Sequence, residues 1–247
     1  MTEFLDGPQG RRIAYNRLEG MGPGVVFLGG FRSDMQGTKA IFLEEWARAQ
    51  GLPFLRFDYS GHGESSGAFE TGCIGEWFAD AAAAIEALTE GPQVLVGSSM
   101  GGWISLLLAR AMPGRIAGLV TVAAAPDFTE RGFWAGFSEL ERAKLMREGR
   151  ILRPSDYGDA YVITRKLIED GRNHLLMGAP LELPFPVRML QGTADADVPM
   201  QWATDLIAHA SGEDMRLTLV KGADHRFSDG ECLGLIAAAV DEVLARL

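Results

Sequence analysis

The sequence predicts an α/β fold with a mainly parallel central sheet covered by helices on both faces. Three observations carry that reading. Short β-branched runs such as Val25 to Leu28, Val94 to Val96 and Ile116 to Ala124 alternate with helix-forming stretches, the rhythm of strand–helix–strand units. The runs are apolar throughout instead of alternating with polar residues, as strands buried on both faces are. One of them ends in Gly97, Ser98, Ser99, Met100 and Gly101 and passes at once into the apolar segment Trp103 to Met112. That is a strand, a sharp turn and a helix in one short stretch.

Composition narrows the class. A chain of 247 residues, 47% of them hydrophobic, can bury one large core, and its regular apolar segments give no reason to divide it. A single domain over 1–247 is expected. No apolar run reaches the roughly 20 residues of a membrane span, so no membrane span is expected. A formal net charge of −10 would be repelled by nucleic acid or an anionic surface, which argues against a nucleic-acid partner. Cys73 and Cys232 are too few for a disulfide framework and read as packing residues. Met1 to Asp6 shows no basic region followed by an apolar stretch, so a cytoplasmic location is expected.

Taken in order, Glu3 to Asp6 and Arg12 to Leu18 flank the turn cluster Gly7 to Gly10 and read as an antiparallel hairpin. Val25 to Leu28 is a buried strand ending on Gly29, Gly30 and Phe31. Gly37 to Ala49 forms a helix with Ile41, Phe42 and Trp46 on its apolar side. Phe54 to Phe57 is the next strand, running into a Gly/Ser-rich loop at residues 58–67. That loop lacks the lysine and spacing of a phosphate-binding loop and reads as structural, with His62 an ordinary member of it. Ile74 to Leu88 is helical, stopped by Gly91 and Pro92 before the strand that leads to Ser99.

Of the two serines only Ser99 has glycine two residues before and two after it. A side chain held on so tight a turn would collide with any β-carbon at those places. This is the nucleophile elbow of the α/β-hydrolase pattern, which makes Ser99 the candidate nucleophile. The same pattern puts one oxyanion donor in the loop after the third strand. The backbone amides of Phe31 and Met100 are therefore the candidate pair, with the N-terminus of the following helix adding partial positive charge.

Longer blocks carry a closer resemblance. Gly37-Thr38-Lys39-Ala40, Arg56 to Gly61 and Gly91 to Trp103 resemble the family of the mitochondrial palmitoyl-protein thioesterase, also known as mycophenolic acid acyl-glucuronide esterase, and its bacterial relatives. The likeness runs over most of the chain at similar spacing. It implies an α/β-hydrolase fold and a serine hydrolase that releases acyl groups from thioesters or esters. No targeting extension is expected at the N-terminus, a departure from that family, so a mitochondrial location is not carried over.

Residues 127–179 interrupt the strand–helix rhythm after the sixth strand. Ser138 and Glu141 form a capping box opening a helix to about Arg147, and a second helix is expected from about Asp159 to Asp170. A helical lid is the expected product. Its aromatics are Phe128, Phe133, Trp134, Phe137, Tyr157 and Tyr161, of which Phe133, Trp134, Phe137 and Tyr161 are the candidates to line an acyl pocket. His174 at its exit reads as a contact residue.

Met189 to Pro199 is a strand and a turn with two carboxylates. It is similar to the His-Gly-x-x-Asp-x-x-Val-Pro segment common in the superfamily, with Gln191 where histidine is usual. That likeness points to Asp195 as the acid, with Asp197 as the alternative. Arg216 to Val220 is the last strand, and His225 in the loop after it is the candidate base, completing the order Ser99, Asp195, His225. His209 ends a helix and reads as structural, and Leu233 to Leu247 closes the chain as an amphipathic helix.

No metal cluster, dinucleotide fingerprint or phosphate loop is legible, so neither metal nor cofactor is expected. The expected partner is a small-molecule or lipidated-protein acyl ester or thioester. Serine at the elbow excludes a haloalkane dehalogenase, which needs aspartate there. A carbon–carbon bond hydrolase and a non-catalytic ligand-binding scaffold of the same fold remain open.

Overall fold

The protein's structure, a computed structural model, describes residues 2–153 and 160–247. Ten strands and seven α-helices follow one another among these residues, with short helical turns between them. The opening hairpin pairs β1 (Glu3–Asp6) antiparallel with β2 (Arg12–Leu18). Next come β3 (Gly24–Leu28), α1 (Thr38–Gln50), β4 (Phe54–Phe57), α2 (Ile74–Leu88), β5 (Gln93–Ser98), α3 (Met100–Ala111) and β6 (Ile116–Val122). After an insertion, β9 (Val187–Gly192), α6 (Met200–His209), β10 (Met215–Val220) and α7 (Gly230–Leu244) complete the order. Eight strands join in the sheet order β1-β2-β4-β3-β5-β6-β9-β10, parallel from β4 to β10.

The apolar runs form strands because both sides of each are covered. Along β3, Val26 and Leu28 belong to one core while Val25 and Phe27 belong to the other. Along β5, Leu95 joins the first core and Val94 and Val96 the second. This is the two-residue period of a strand whose faces both lie under helices. Residues of α2 and α3 fill the first core, and residues of α1 and α7 the second. On α1 the buried positions are Ala40, Leu43 and Ala47, with Phe42 and Trp46 only half-buried at the margin. Small side chains let this helix lie close to the sheet, and the larger aromatics expected there fall to its flanks.

The insertion differs from an all-helical lid. Its first helix, α4 (Glu139–Glu148), begins at the expected capping box, with Ser138 and Glu141 exchanging hydrogen bonds. The expected helix from Asp159 to Asp170 does not form over that range. Tyr161–Thr164 is instead a strand, β8, paired antiparallel with β7 (Arg150–Arg153). The helix α5 runs only over Arg165–Gly171, capped by the Thr164 hydroxyl, which accepts from Leu167 N–H at 3.1 Å. Val162, Ile163 and Thr164 are β-branched and favour the strand. Asp159, the expected helix start, and Tyr157 lie outside the described residues.

Both ends of the insertion are fastened together. Asp127 is buried at φ 60. Its two carboxylate oxygens accept from the backbone amides of Leu176 (2.8 Å) and Met177 (3.0 Å). His209 Nε2 donates to the Ala179 carbonyl at 2.8 Å, a structural role as expected.

Candidate active site

The site lies at the carboxyl ends of the parallel strands. Phe31 follows β3 and Ser99 follows the neighbouring β5, where the strand order reverses. Crevices in open α/β sheets form at that point. Ser99 occupies φ 54, ψ −116, a conformation an L-residue adopts only when its surroundings over-determine it. They do: its N–H donates to Val122 O (2.9 Å), and its carbonyl accepts from Gly102 N–H (2.9 Å) and Ala125 N–H (3.1 Å). A β-carbon at Gly97 would collide with Ser105 Oγ and the Gly101 carbonyl, and one at Gly101 with the Leu28 carbonyl. The two glycines are thus required by close approach of backbone to backbone.

Three side chains from separate loops meet here. His225, after β10, has Nε2 at 3.1 Å from Ser99 Oγ and Nδ1 at 2.8 Å from Asp195 Oδ2. With Nδ1–H donating to the carboxylate, Nε2 is left as an acceptor for the serine hydroxyl. The partner of His225 Nδ1 is Asp195; Asp197 instead gives its backbone N–H to Asp195 Oδ1 at 2.9 Å. Oδ1 also accepts from Val198 N–H (2.8 Å), and Oδ2 from Gln191 Nε2 (3.0 Å). Burial alone would push the Asp195 carboxyl up. The His225 contact, then the Val198 and Gln191 donors, outweigh it and hold the group below the ordinary carboxylate value.

Asp195, Asp197 and His225 offer three ligand atoms within 4.8 Å of one another. Both oxygens of Asp195 are already engaged by four donors, so the geometry is that of a hydrogen-bond network.

Ser99 opens into a cavity of about 480 Å³. Met100 begins α3, so its N–H belongs to the first helical turn and has no carbonyl four residues back in the helix. The Phe31 N–H has no backbone partner among the described residues. Both residues line the cavity beside Ser99. The Phe31 ring packs edge-on against Phe128 (5.5 Å), Phe133 (5.8 Å) and Tyr161 (5.6 Å), forming an apolar wall. Of the four insertion aromatics expected at a pocket, Phe133 and Tyr161 line it. Trp134 and Phe137 do not. The Trp134 ring lies under the guanidinium groups of Arg142 and Arg172, and Phe137 is buried with Arg153 over its face.

Other features of the site were not readable beforehand. Trp202 on α6 lines the cavity, though nothing in its sequence neighbourhood marks it, and so does Lys39 on α1, which lies in the block Gly37 to Ala40 but carries no role predictable from it. Burial pushes the Lys39 ammonium down to about 8, with Asp224 opposing the shift. His62 is buried. Its Nδ1 donates to Ser60 O (3.2 Å) and its Nε2 accepts from Arg32 N–H (3.3 Å), the amide next to Phe31. Cys73 and Cys232 are buried free thiols, pushed up to about 12 by burial, in keeping with packing.

With that geometry, the comparison with known proteins is direct. Residues 24–166 match the family model described as serine aminopeptidase, S33. The chain belongs to this family of α/β-hydrolases. The hydrolase is 35% identical over 249 residues to the mitochondrial palmitoyl-protein thioesterase ABHD10 of Bos taurus, covering 99% of its own length and 80% of that relative. To the Homo sapiens protein of the same name it is 34% identical over 246 residues, with the same coverage. A putative hydrolase from Agrobacterium vitis S4 superposes with a TM-score of 0.95 at 38% identity, over 99% of this hydrolase and 98% of that chain. Mouse alpha/beta hydrolase domain-containing protein 10 superposes with a TM-score of 0.92 at 31% identity, with equal coverage. The resemblance expected from the motif blocks is thereby shown, and the fold and the enzyme class with it. Among the described residues no helix is long and apolar enough to cross a membrane.

Proposed function

We propose that the protein cleaves acyl esters or thioesters through an acyl-enzyme on Ser99, with His225 as general base and Asp195 as the acid that orients it. The observation that carries the reading is the continuous hydrogen-bond chain Ser99–His225–Asp195, with links of 3.1 and 2.8 Å. His225 Nε2 takes the serine proton as Oγ attacks the acyl carbon, then returns it to the departing alcohol or thiol. Asp195 holds the imidazole in the tautomer that leaves Nε2 open and stabilises the imidazolium that forms. The amides of Phe31 and Met100 receive the tetrahedral oxyanion, each donor worth about 3 kcal/mol of transition-state stabilisation. Water then repeats the cycle on the acyl-enzyme.

The aromatic wall around Phe31, Phe128, Phe133 and Tyr161 supports an apolar acyl chain as the group held there. The relatives named palmitoyl-protein thioesterase favour a long-chain thioester, on a protein or a small thiol. The test pairs a fluorophosphonate probe with a thioester and ester series of increasing acyl length. Wild type is expected to label and to turn over medium and long chains. Ser99→Ala is expected to do neither, with rates down by about 10⁴-fold or more. Normal turnover by Ser99→Ala would overturn the reading, and a sharp preference for acetyl would remove the acyl-chain assignment.

A further inference from the structure

Gln191 stands where the superfamily pattern usually has histidine, and nothing in the proposed chemistry uses it directly. Its environment is unusual. The side chain is fully buried at the end of β9. Its Nε2 sits among three acceptors: Asp195 Oδ2 at 3.0 Å, Val198 O at 3.1 Å and Gly192 O at 3.2 Å. Its Oε1 is buried and has no hydrogen-bond partner among the described residues. Turning the amide over would aim Oε1 at all three acceptors and leave Nε2 unpaired, so the orientation is determined by the surroundings. A buried carbonyl without a donor is destabilising, and native proteins keep few of them. An apolar side chain of the same length would remove that orphan but take the donor away from the Asp195, Val198 and Gly192 oxygens.

We propose that Gln191 is a positioning residue. Its amide holds Asp195 Oδ2 in the place where that oxygen meets His225 Nδ1, and the unpaired carbonyl is the structural consequence of keeping a donor there. The inference rests on the reading of Ser99, His225 and Asp195 as the reacting chain. Oδ2 is the oxygen shared by the two donors, Gln191 Nε2 and His225 Nδ1. While the amide donates, part of the carboxylate charge is answered by a neutral group and the oxygen cannot swing away from the imidazole. Without it, the carboxylate is both less restrained and less well solvated by the protein. It then holds a protonated imidazole more tightly, which favours the inactive form of the base at mildly acidic pH.

The experiment compares kcat, KM, the pH profile of kcat/KM and Tm for wild type, Gln191→Met, Gln191→His and Gln191→Glu. Methionine keeps the length, removes the donor and removes the orphan carbonyl. Because it also takes the donor from the Val198 and Gly192 carbonyls, it is expected to leave Tm within a few degrees of wild type, to lower kcat about ten-fold with KM within about two-fold, and to move the acidic limb upward by about half a unit to one unit. Histidine can present a ring N–H to Oδ2 and is expected to restore kcat to within about three-fold of wild type. The other charged or titratable groups around the imidazole are the same in every variant. Asp195 and Asp197 on the β9–α6 loop lie beside it, Asp224 and Arg226 flank it on its own loop, and Lys39 of α1, Arg32 after β3 and Tyr161 of the insertion line the same cavity. A moved limb therefore reports position 191.

Wild-type kcat and an unmoved limb in Gln191→Met would overturn the proposal. So would an activity loss that only follows a fall in Tm. If the methionine variant does not fold, histidine and glutamate decide. Glutamate sets a second carboxylate against Asp195 and is expected to fall at least 100-fold below histidine; equal activities would overturn the proposal. Fluorophosphonate labelling of wild type against Ser99→Ala tests the underlying chemistry separately. Labelling that depends on Ser99 alongside an indifferent Gln191→Met sinks only the role of Gln191.

Discussion

Substituting His62, in the loop after β4, with glutamine should flatten part of the protein's acid sensitivity by an amount the structure sets. His62 is 3% exposed, ringed by Tyr59, Phe69 and Trp77. Burial pushes its imidazole down from 6.5 to about 4, against smaller opposing effects of the Ser60 carbonyl, Asp80 and Asp34. Between those two values the unfolded chain binds a proton that the folded protein refuses, so stability rises with pH through that window and is lost as pH falls from 6.5 toward 4. The full difference between those values corresponds to about 3 kcal/mol. Less than half of that is gone at pH 5.5 and most of it at pH 4.5. Glutamine does not titrate, and its amide can accept from Arg32 N–H and donate to Ser60 O. Wild type and His62→Gln would be unfolded in urea at several pH values from 7.5 to 4.5. Carboxylates that titrate in both proteins cancel in the difference. The wild-type advantage should shrink by about 2–3 kcal/mol across the series. A gap constant to within ~0.5 kcal/mol would refute the reasoning, as would an imidazole titrating near 6.5 in the folded protein by NMR.

Gly101→Ala should destabilise the fold by about 2–3 kcal/mol in urea melts and abolish fluorophosphonate labelling, because its β-carbon meets the Leu28 carbonyl. Asp127→Ala leaves the buried amides of Leu176 and Met177 without acceptors and should cost about 2–4 kcal/mol, with faster hydrogen exchange at those two amides. Phe133→Ala should lower kcat/KM for a dodecanoyl substrate by about ten-fold while sparing the acetyl ester. With both thiols pushed up to about 12 by burial, a thiol reagent at pH 7.5 should label neither Cys73 nor Cys232 until the protein unfolds.

The elbow was legible because local rules converge on it. Glycine spacing, the β-branched run and the apolar helix each point to the same turn within a few residues. The strands were legible for a similar reason, since burial on both faces leaves an unbroken apolar run. The choice between Asp195 and Asp197 was harder, because both sit in one turn and only the third dimension tells which carboxylate faces His225. Tyr161–Thr164 was misread as helix because its partner, Arg150–Arg153, is a separate stretch, and strand pairing is not a local property. The directions of the Gln191 amide and of the His62 ring were beyond reach for the same reason. Each is decided by acceptors and donors brought in from distant turns, such as Val198 and Arg32.

Ser99 and His225 are 126 positions apart along the chain, and the loop that carries the histidine follows β10, which lies at one edge of the sheet. On the proposed role of His225, a nascent chain with a perfect elbow but an unattached C-terminal quarter would be inert. Recovery of probe labelling during refolding would serve as a clock for the arrival of that edge strand, and its delay behind the return of helical circular dichroism would measure how late in assembly the molecule acquires its chemistry.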